Sequence, residues 1–278
     1  MEDQMQKPTQ AETASVGDDL GARAHADGCF MIEPLIDERR CGLLAERLQE
    51  YAGAVRQTPQ GMTLQQEPAV TRTGETLPAG RDVRKIDGLY HDEIFRSLIE
   101  DDKITTPLRL LLGSELRLYR ATALMKPASV GSAKGLHQDA PYWPIEPMSM
   151  WSCWIPLDDA TVANGCLTVI PGSHLDGPLA HHATDDDFVV GRDAYDANQV
   201  VAVPAERGSG IFFHSLLLHG SAANTSGLPR RAVTLSYMGS HHRCTDRAPL
   251  RRFPLIAPAS TRQSASSIAK PIARRAAV

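Results

Sequence analysis

The chain has 278 residues, a length that suits one large domain or two small ones. Hydrophobic residues make up 42% and charged residues 22%, which is ordinary for a globular protein that buries a real core. Lys and Arg number 29 against 33 Asp and Glu, a formal net charge of −4, so the basic excess typical of nucleic-acid binders is absent.

The cysteines and the ends of the chain indicate the compartment. Five widely spaced cysteines, an odd count without a CxxC motif, exclude a disulfide framework or zinc knuckle and favour a reducing cytoplasm. No apolar run reaches the roughly 18 residues that a membrane span needs. The first residues, MEDQMQKPTQ, lack the basic start and apolar stretch of a signal peptide. We therefore expect a cytoplasmic protein without membrane contact.

Composition divides the chain into three segments. Residues 1–18 are polar and aperiodic, and we predict a mobile N-terminal tail there. Residues 19–250 carry the periodic patterns of a single folded domain. Residues 251–278 contain six basic residues and no acidic one, which predicts a basic C-terminal tail. That tail is either solvated or serves as a lid or anion-binding arm.

Three helices are predicted in the first part of the domain. Asp37 caps the first, Asp92 caps the second, and Thr106-Pro107 opens a third that Gly113 closes. The apolar stripe of the first helix consists of Cys41, Leu44, Ala45, Leu48 and Tyr51, and that of the second of Ile94, Phe95, Leu98 and Ile99.

After Gly113 the hydrophobic period changes to two, which predicts strands. Leu116, Leu118, Thr122 and Leu124 share one face of the first strand. Turn signals separate five further strands, predicted at 148–156, 166–170, 199–203, 209–214 and 231–238. Helices followed by many short strands predict an α+β fold, with a β-barrel or sandwich packed against helices.

The stretch LHQDAPYWP, residues 136–144, contains a candidate metal site. In an extended strand, side chains two positions apart point the same way, so His137 and Asp139 would project together. His219 ends a strongly apolar strand, where an unpaired imidazole is costly. Two His and one carboxylate form the facial triad of non-haem Fe(II) oxygenases. Alone, an H-x-D motif also occurs as two surface groups near a turn.

Arg230, eleven residues after His219, is a candidate carboxylate-binding residue beside this metal site. A planar guanidinium binds a carboxylate through two parallel hydrogen bonds. If the open metal positions take a 2-oxo acid, Arg230 is placed to anchor its far carboxylate. Ser221 lies two residues after His219, on the same side of the strand, and can add a hydroxyl donor.

Three segments together resemble the phytanoyl-CoA dioxygenase family of Fe(II)/2-oxoglutarate oxygenases. They are GLHQDAPYWPIEP, ANGCLTVIPGSH and IFFHSLLLHGSAANTSGLPRRAVTLSY, and the resemblance runs from about Tyr119 to Tyr237. It implies that residues 19–250 form a double-stranded β-helix, a jelly-roll or cupin-like barrel buttressed by N-terminal helices.

The resemblance also implies roles for individual residues. The iron ligands fall on His137, Asp139 and His219, and the 2-oxoglutarate clamp falls on Arg230 assisted by Ser221. Lys126, Gln138 and Trp154 match positions beside the cosubstrate; Trp154 is alternatively barrel core, and Lys126 alternatively a rim charge.

The implied activity uses Fe(II), 2-oxoglutarate and O2, with ascorbate as a supporting reductant, and releases succinate and CO2. We expect hydroxylation of an unactivated C–H bond in a small molecule, a natural-product intermediate or an amino-acid derivative. Because related halogenases lack the carboxylate, Asp139 disfavours halogenation. The alternatives are an acyl-CoA 2-hydroxylase of phytanoyl-CoA type, a desaturase or epoxidase, a metal-binding sensor barrel, and a cupin-like hydrolase or isomerase. We expect a monomer or homodimer.

Other residues near the site have weaker assignments. His214 lies five residues before His219, so an ideal strand points it the opposite way, and we predict a structural role. Arg243 and Arg247 either border the substrate pocket or are exposed charges. We expect the loops 55–90 and 172–200 to contribute lining residues.

Overall fold

The structure, a computed structural model, describes residues 20–74, 77–185, 187–246, 252–257 and 269–272. The predicted tail at 1–18 and much of the predicted tail at 251–278 lie outside the described residues. All five cysteines have free thiols, as expected. Within the described residues, no helix has both the length and the apolar character that crossing a bilayer requires.

Antiparallel β-sheets make up most of the fold. The larger sheet has nine strands, in the order β17-β1-β12-β7-β14-β4-β3-β2 with β16 also paired to β4, and the smaller sheet has the order β11-β8-β13-β5. Two further pairs are β9-β10 and β6-β15. The strand bounds are β1 Cys29–Ile32, β2 Thr63–Gln66, β3 Val83–Asp87, β4 Leu116–Lys126, β5 Lys134–His137, β6 Ile145–Glu146, β7 Trp151–Pro156, β8 Leu167–Val169, β9 His181–Ala183, β10 Phe188–Val190, β11 Val201–Val203, β12 Gly210–His214, β13 His219–Ser221, β14 Arg230–Gly239, β15 Arg243–Cys244, β16 Leu255–Ile256 and β17 Ala269–Lys270.

Helices precede most of the strands. They are α1 at 20–27, α2 Glu38–Ala52, α3 Pro68–Thr73, α4 Glu93–Ile99 and α5 Asp102–Leu112. The two predicted caps are confirmed, because the Asp37 carboxylate accepts from the Arg40 amide at 2.7 Å and Asp92 accepts from the Ile94 amide at 2.9 Å. The predicted stripe of α2 is buried throughout.

The predicted start of the third helix was wrong. Helix α5 begins at Asp102 with Asp101 as its cap, and the Asp101 carboxylate accepts from the Lys103 amide at 2.9 Å. Pro107 therefore lies inside the helix. A carboxylate cap in the preceding turn outweighs the one backbone hydrogen bond that a proline forfeits. Gly113 ends the helix as predicted.

The two faces of the larger sheet belong to two different cores. On one face, Leu44, Phe95 and Leu108 from the helices share a buried cluster with strand residues such as Leu235. On the other face, Trp154 shares a cluster with residues of the smaller sheet. Because side chains alternate along a strand, β7 contributes to both cores. The second core lies between the sheets, and the candidate site is built at its edge.

The sheets do not close into the predicted barrel. Among the described strands, no hydrogen-bonded ladder joins the larger sheet to the smaller one. The smaller sheet has four strands of three or four residues each, against nine strands in the larger sheet. This open arrangement leaves room for a cavity between the sheets.

The described parts of the C-terminal segment pair with the larger sheet, although half of their residues are exposed. Strand β16 pairs with β4, and β17 pairs with β1 at an edge of the larger sheet. Ile256, Ala269 and Ile272 are buried. These apolar side chains, spaced among the basic residues, account for the packing.

Candidate metal centre

The structure brings the three predicted ligands together. Strands β5 and β13 are antiparallel neighbours, and their register places His219 directly opposite His137. An Asp139 oxygen lies 3.7 Å from Nε2 of His137, and the other lies 3.8 Å from Nε2 of His219. The Asp139 amide donates to the Ser215 carbonyl at 2.9 Å, which fixes the chain just after β5. All three ligand atoms lie within 4.8 Å of one another.

The hydrogen bonds of both imidazoles leave the converging nitrogens free. Nδ1 of His137 lies 2.9 Å from the Gly135 carbonyl, and Nδ1 of His219 lies 2.9 Å from the Leu217 carbonyl. Each Nδ1 must therefore carry a proton, and each Nε2 presents a lone pair. Burial, and secondarily the neighbouring His219, lowers the pKa of His137 well below its usual value. Two neutral imidazoles and one carboxylate fit a ferrous ion.

Arg230 is a buried guanidinium with an unused donor. It begins β14, lines the same cavity as the triad, and is only 3% exposed. Its Nη1 donates to the Leu124 carbonyl at 3.0 Å, whereas its buried Nε has no hydrogen-bond partner. Burial lowers its pKa to about 10, so it remains charged at neutral pH. Trp154 lies against it, with the guanidinium carbon 5.6 Å from the ring centroid. A buried cation with a free donor is a site for an anion.

Lys126 and Ser221 also line this cavity. Lys126 is opposite Arg230 in the β4–β14 ladder, and its ammonium donates to the Ser132 carbonyl. It is 5% exposed, so the rim-charge alternative was wrong. Burial, and then Arg230, lowers the pKa of Lys126 to about 7.

Gln138 does not line the cavity, contrary to the role that the resemblance implied. Its side-chain amide donates to the Gly177 and Leu216 carbonyls, both at 2.8 Å, and its carbonyl accepts from the Leu179 amide at 2.7 Å. Gln138 follows the last residue of β5, and these three hydrogen bonds hold its side chain away from the cavity. Gln138 thus joins the segments around 177–179 and 216.

Trp154 is barrel core, as one alternative had it, because it is 2% exposed within the second core; it also lines the cavity, and its place beside the cosubstrate stays a prediction. His214 lies outside the cavity lining and packs edge-on against Trp151. Arg243 pairs with Glu146 and its side chain is 78% exposed, so it does not border the pocket. Arg247 lies outside the described residues.

The cavity has a volume of about 410 Å³ and draws on both expected loops. These contribute Gln65, Glu67, Arg84 and Lys85 from 55–90, and Asp187 and Phe188 from 172–200. No sequence pattern singled out Glu67 itself. It is fully buried and accepts from the Ser132 amide and hydroxyl through one oxygen, while the other oxygen has no partner.

Comparisons with known proteins agree with this geometry. The profile of the family described as "Phytanoyl-CoA dioxygenase (PhyH)" matches residues 24–232. A Caenorhabditis elegans protein, "Phytanoyl-CoA dioxygenase domain-containing protein 1 homolog", is 32% identical over 187 residues, which cover 62% of this chain and 65% of the relative. The peroxisomal phytanoyl-CoA dioxygenase of Mus musculus is 30% identical over 200 residues, which cover 68% of this chain and 58% of the relative. The match spans less than two thirds of either relative.

Among solved structures, the epimerase SnoN in complex with Fe3+, alpha ketoglutarate and nogalamycin RO has a similar fold. Its TM-score is 0.66 at 21% identity, and the match covers 88% of this chain and 100% of that one. At this level of identity the likeness concerns the fold.

Proposed function

The chain belongs to the phytanoyl-CoA dioxygenase family, and from this premise we propose that it is an Fe(II)- and 2-oxoglutarate-dependent dioxygenase. The proposed reaction is hydroxylation of an unactivated C–H bond in a small molecule, a natural-product intermediate or amino-acid derivative, with release of succinate and CO2. The two open sheets are then a double-stranded β-helix with helices on one side. Free cysteines support a cytoplasmic location, and we propose a single domain at 19–250 that acts as a monomer or homodimer.

One observation carries the proposal. A converging His137, Asp139 and His219 set shares its cavity with a buried Arg230 whose Nε lacks a partner. The triad fits a ferrous ion by its donor types, and the guanidinium fits the far carboxylate of a 2-oxo acid. A metal sensor would need the first group without the second.

Each residue has a defined task in this scheme. When bound, Fe(II) and 2-oxoglutarate supply the oxidising chemistry that consumes O2. His137, Asp139 and His219 would hold the metal, and the backbone carbonyl behind each ring accepts from Nδ1, which orients Nε2 toward the metal position. Arg230, with Ser221, orients the cosubstrate. Trp154 and the surrounding core exclude water from that end of the cavity.

Asp139 bears on the outcome of the reaction. Because the carboxylate is present, the ligand position that chloride occupies in the related halogenases is filled. The chain therefore has the ligand set of a hydroxylase.

Succinate formation tests the proposal. The full chain is incubated with Fe(II), ascorbate and 2-oxoglutarate, and succinate is quantified against Asp139→Ala and the exposed control Arg243→Gln. We expect turnover in the wild type and in the Arg243 variant, and none in the Asp139 variant. Equal succinate from all three proteins, or from none, would refute the assignment.

A further inference from the structure

Two ion clusters line the cavity beyond the metal centre. The first, the β3–β4 cluster, consists of Lys85, Asp87 and Arg120. Arg120 donates to one Asp87 oxygen from Nε at 3.0 Å and from Nη2 at 2.7 Å, and Lys85 lies 2.9 Å from the other oxygen. The hydroxyl of Thr122 also donates to Asp87, at 2.7 Å. One carboxylate therefore serves two cations that both line the cavity.

The second, the hairpin cluster, consists of Arg84, Lys134 and Asp187. A single oxygen of Asp187, next to β10, lies 3.0 Å from Nη2 of Arg84 and 2.7 Å from Nζ of Lys134. Arg84 comes from the larger sheet and Lys134 from the smaller one, so this cluster bridges them at the cavity. In this cluster, too, one carboxylate forms ion pairs with two cations.

The inner part of the cavity is balanced in charge once its proposed ligands are present. Arg230 and Lys126 are matched in number there by Glu67 and Asp139, and a divalent metal is matched by a dicarboxylic cosubstrate. The outer wall is different. Among its charged residues that the structure describes, four cations meet two carboxylates, which leaves two positive charges uncompensated.

The hairpin cluster is more buried than an ordinary surface ion pair, whereas the β3–β4 cluster is partly exposed. The side chains of Arg84 and Asp187 are 18% and 11% exposed. Burial, and then Arg120, lowers the pKa of Lys85, as expected for an ammonium whose shared carboxylate compensates it incompletely. A concave wall with one excess sign of charge attracts the opposite charge.

Aromatic side chains supply an apolar surface in the same cavity. Tyr142, Trp143 and Phe188 line it, and the Tyr142 hydroxyl donates to the Phe188 carbonyl at 2.7 Å. Tyr142 and Phe188 are 39% and 42% exposed. Exposed rings inside a cavity, with their polar tip already paired, favour an apolar ligand body.

We propose that the substrate is an organic anion with an apolar, ring-sized body, and that the β3–β4 cluster and the hairpin cluster bind its anionic group. This inference deepens the proposed function, on which the word substrate rests. The charges themselves are independent of that function, so anion binding is measurable without turnover.

A pair of fluorescent probes tests the charge requirement. 8-Anilinonaphthalene-1-sulfonate is an aromatic anion, and N-phenyl-1-naphthylamine is its uncharged counterpart. Both are titrated into the full chain loaded with Fe(II) and 2-oxoglutarate under argon. Arg84→Gln combined with Arg120→Gln should weaken binding of the anion about tenfold, the effect expected when two partly exposed charge pairs are lost, and change the neutral probe less than about twofold. Equal effects on both probes, or no binding of the anion, would overturn the proposal.

Charge-restoring variants separate charge from local structure. Arg120→Gln/Asp87→Asn and Arg84→Gln/Asp187→Asn each remove one cation with one carboxylate, so the excess positive charge stays. Both should bind the anionic probe within about threefold of the wild type, as should the exposed control Arg243→Gln. If the restoring variants bind as weakly as the arginine double variant, the inference is wrong.

The salt dependence of probe binding tests the same charge requirement on the wild-type chain alone. At about 1 M salt the screening length is about 3 Å, so wild-type affinity for the anion should fall while affinity for the neutral probe holds. Salt-independent binding of the anion contradicts the proposal even if a variant fails to fold.

Displacement identifies the anionic group. 2-Naphthoate, methyl 2-naphthoate and 2-naphthoyl-CoA compete against the bound anionic probe. Displacement by the free acid assigns a carboxylate, and displacement by the CoA thioester alone assigns phosphate; both support an anionic substrate. Equal displacement by the methyl ester overturns it. If the wild-type chain forms no succinate but still binds the anionic probe, only the proposed function is refuted.

Discussion

Two groups of buried or half-buried histidines differ in what surrounds them. His137 and His219 stand on neighbouring strands, with ring centroids 4.2 Å apart. His174, His214 and His242 form a second group, in which the first two rings are 5.1 Å apart. Burial lowers the pKa of His137 and of all three members of the second group. Burial and proximity of imidazoles therefore do not distinguish the two groups.

The carboxylate and the orientation of the ring nitrogens make the difference. Asp139 lies within 4 Å of both rings of the first group. In the second group, Nδ1 of His214 accepts from the Leu216 amide at 3.1 Å, and Nε2 of His174 meets the His25 carbonyl at 3.1 Å. Over the described ranges, only the first group gathers three candidate ligands. The first group thus has a converging third ligand that the second group lacks, and we expect a structural role for the second group.

The largest expected effect is on metal affinity. His219→Ala should weaken Mn(II) binding, as a surrogate for Fe(II), by at least about 100-fold, because it removes a direct ligand. His214→Ala, the matched change in the second group, should leave affinity within about twofold. Isothermal titration calorimetry measures both. Comparable losses in the two variants would erase the distinction between the groups.

The next effect compares the two arginines that begin β14. Arg230→Met should raise the KM for 2-oxoglutarate about 100-fold through loss of a charge-assisted anion contact. Arg231→Met is the matched control, because Arg231 forms a two-point ion pair with Asp158 instead of facing the cavity. Steady-state kinetics should show a raised KM in the first variant alone. A KM that rises equally in the Arg231 variant would remove the cosubstrate role.

Sequence patterns predicted the two helix caps because an aspartate before an apolar stripe is a local signal. They also selected His137 and Asp139 as a pair, although β5 ends at His137 and Asp139 lies just beyond the strand. The ion clusters of the cavity wall were not predictable, since Arg84 meets Asp187 only when a distant hairpin folds back. The closed barrel was wrong for a similar reason: no local pattern specifies how far short strands extend around a sheet.

Gln138 offers a smaller and more specific effect inside the metal motif. Gln138→Ala should lower the free energy of unfolding by about 2–3 kcal/mol, because it removes three hydrogen bonds to half-buried backbone groups of Gly177, Leu179 and Leu216. The KM for 2-oxoglutarate should not change. Urea denaturation measures the change in stability, and steady-state kinetics measures the KM for 2-oxoglutarate. A raised KM with unchanged stability would support the cosubstrate role of Gln138 instead.

The smallest effect is on the acid stability of the second group. The folded-state pKa of His214 is about 4, below the value of about 6.5 in an unfolded chain. As the pH falls from about 6.5 to about 4, His214 is protonated in the unfolded chain but stays neutral in the folded protein. The free energy of unfolding therefore decreases over this range. His214→Gln should reduce the loss between pH 7 and pH 5 by about 2 kcal/mol. Urea denaturation of both proteins measures it, and parallel pH profiles would count against a neutral buried ring.

The central claim is that His137, Asp139 and His219 hold one ferrous ion beside the 2-oxoglutarate pocket of Arg230. Anaerobic titration of the Fe(II)-loaded chain with 2-oxoglutarate tests it most directly, through the visible absorption band that chelation of Fe(II) by a 2-oxo acid produces. We predict a band that saturates at one equivalent of each per chain, is absent in His219→Ala and persists in His214→Ala. A band of equal strength in both variants, or none in the wild type, would contradict the account.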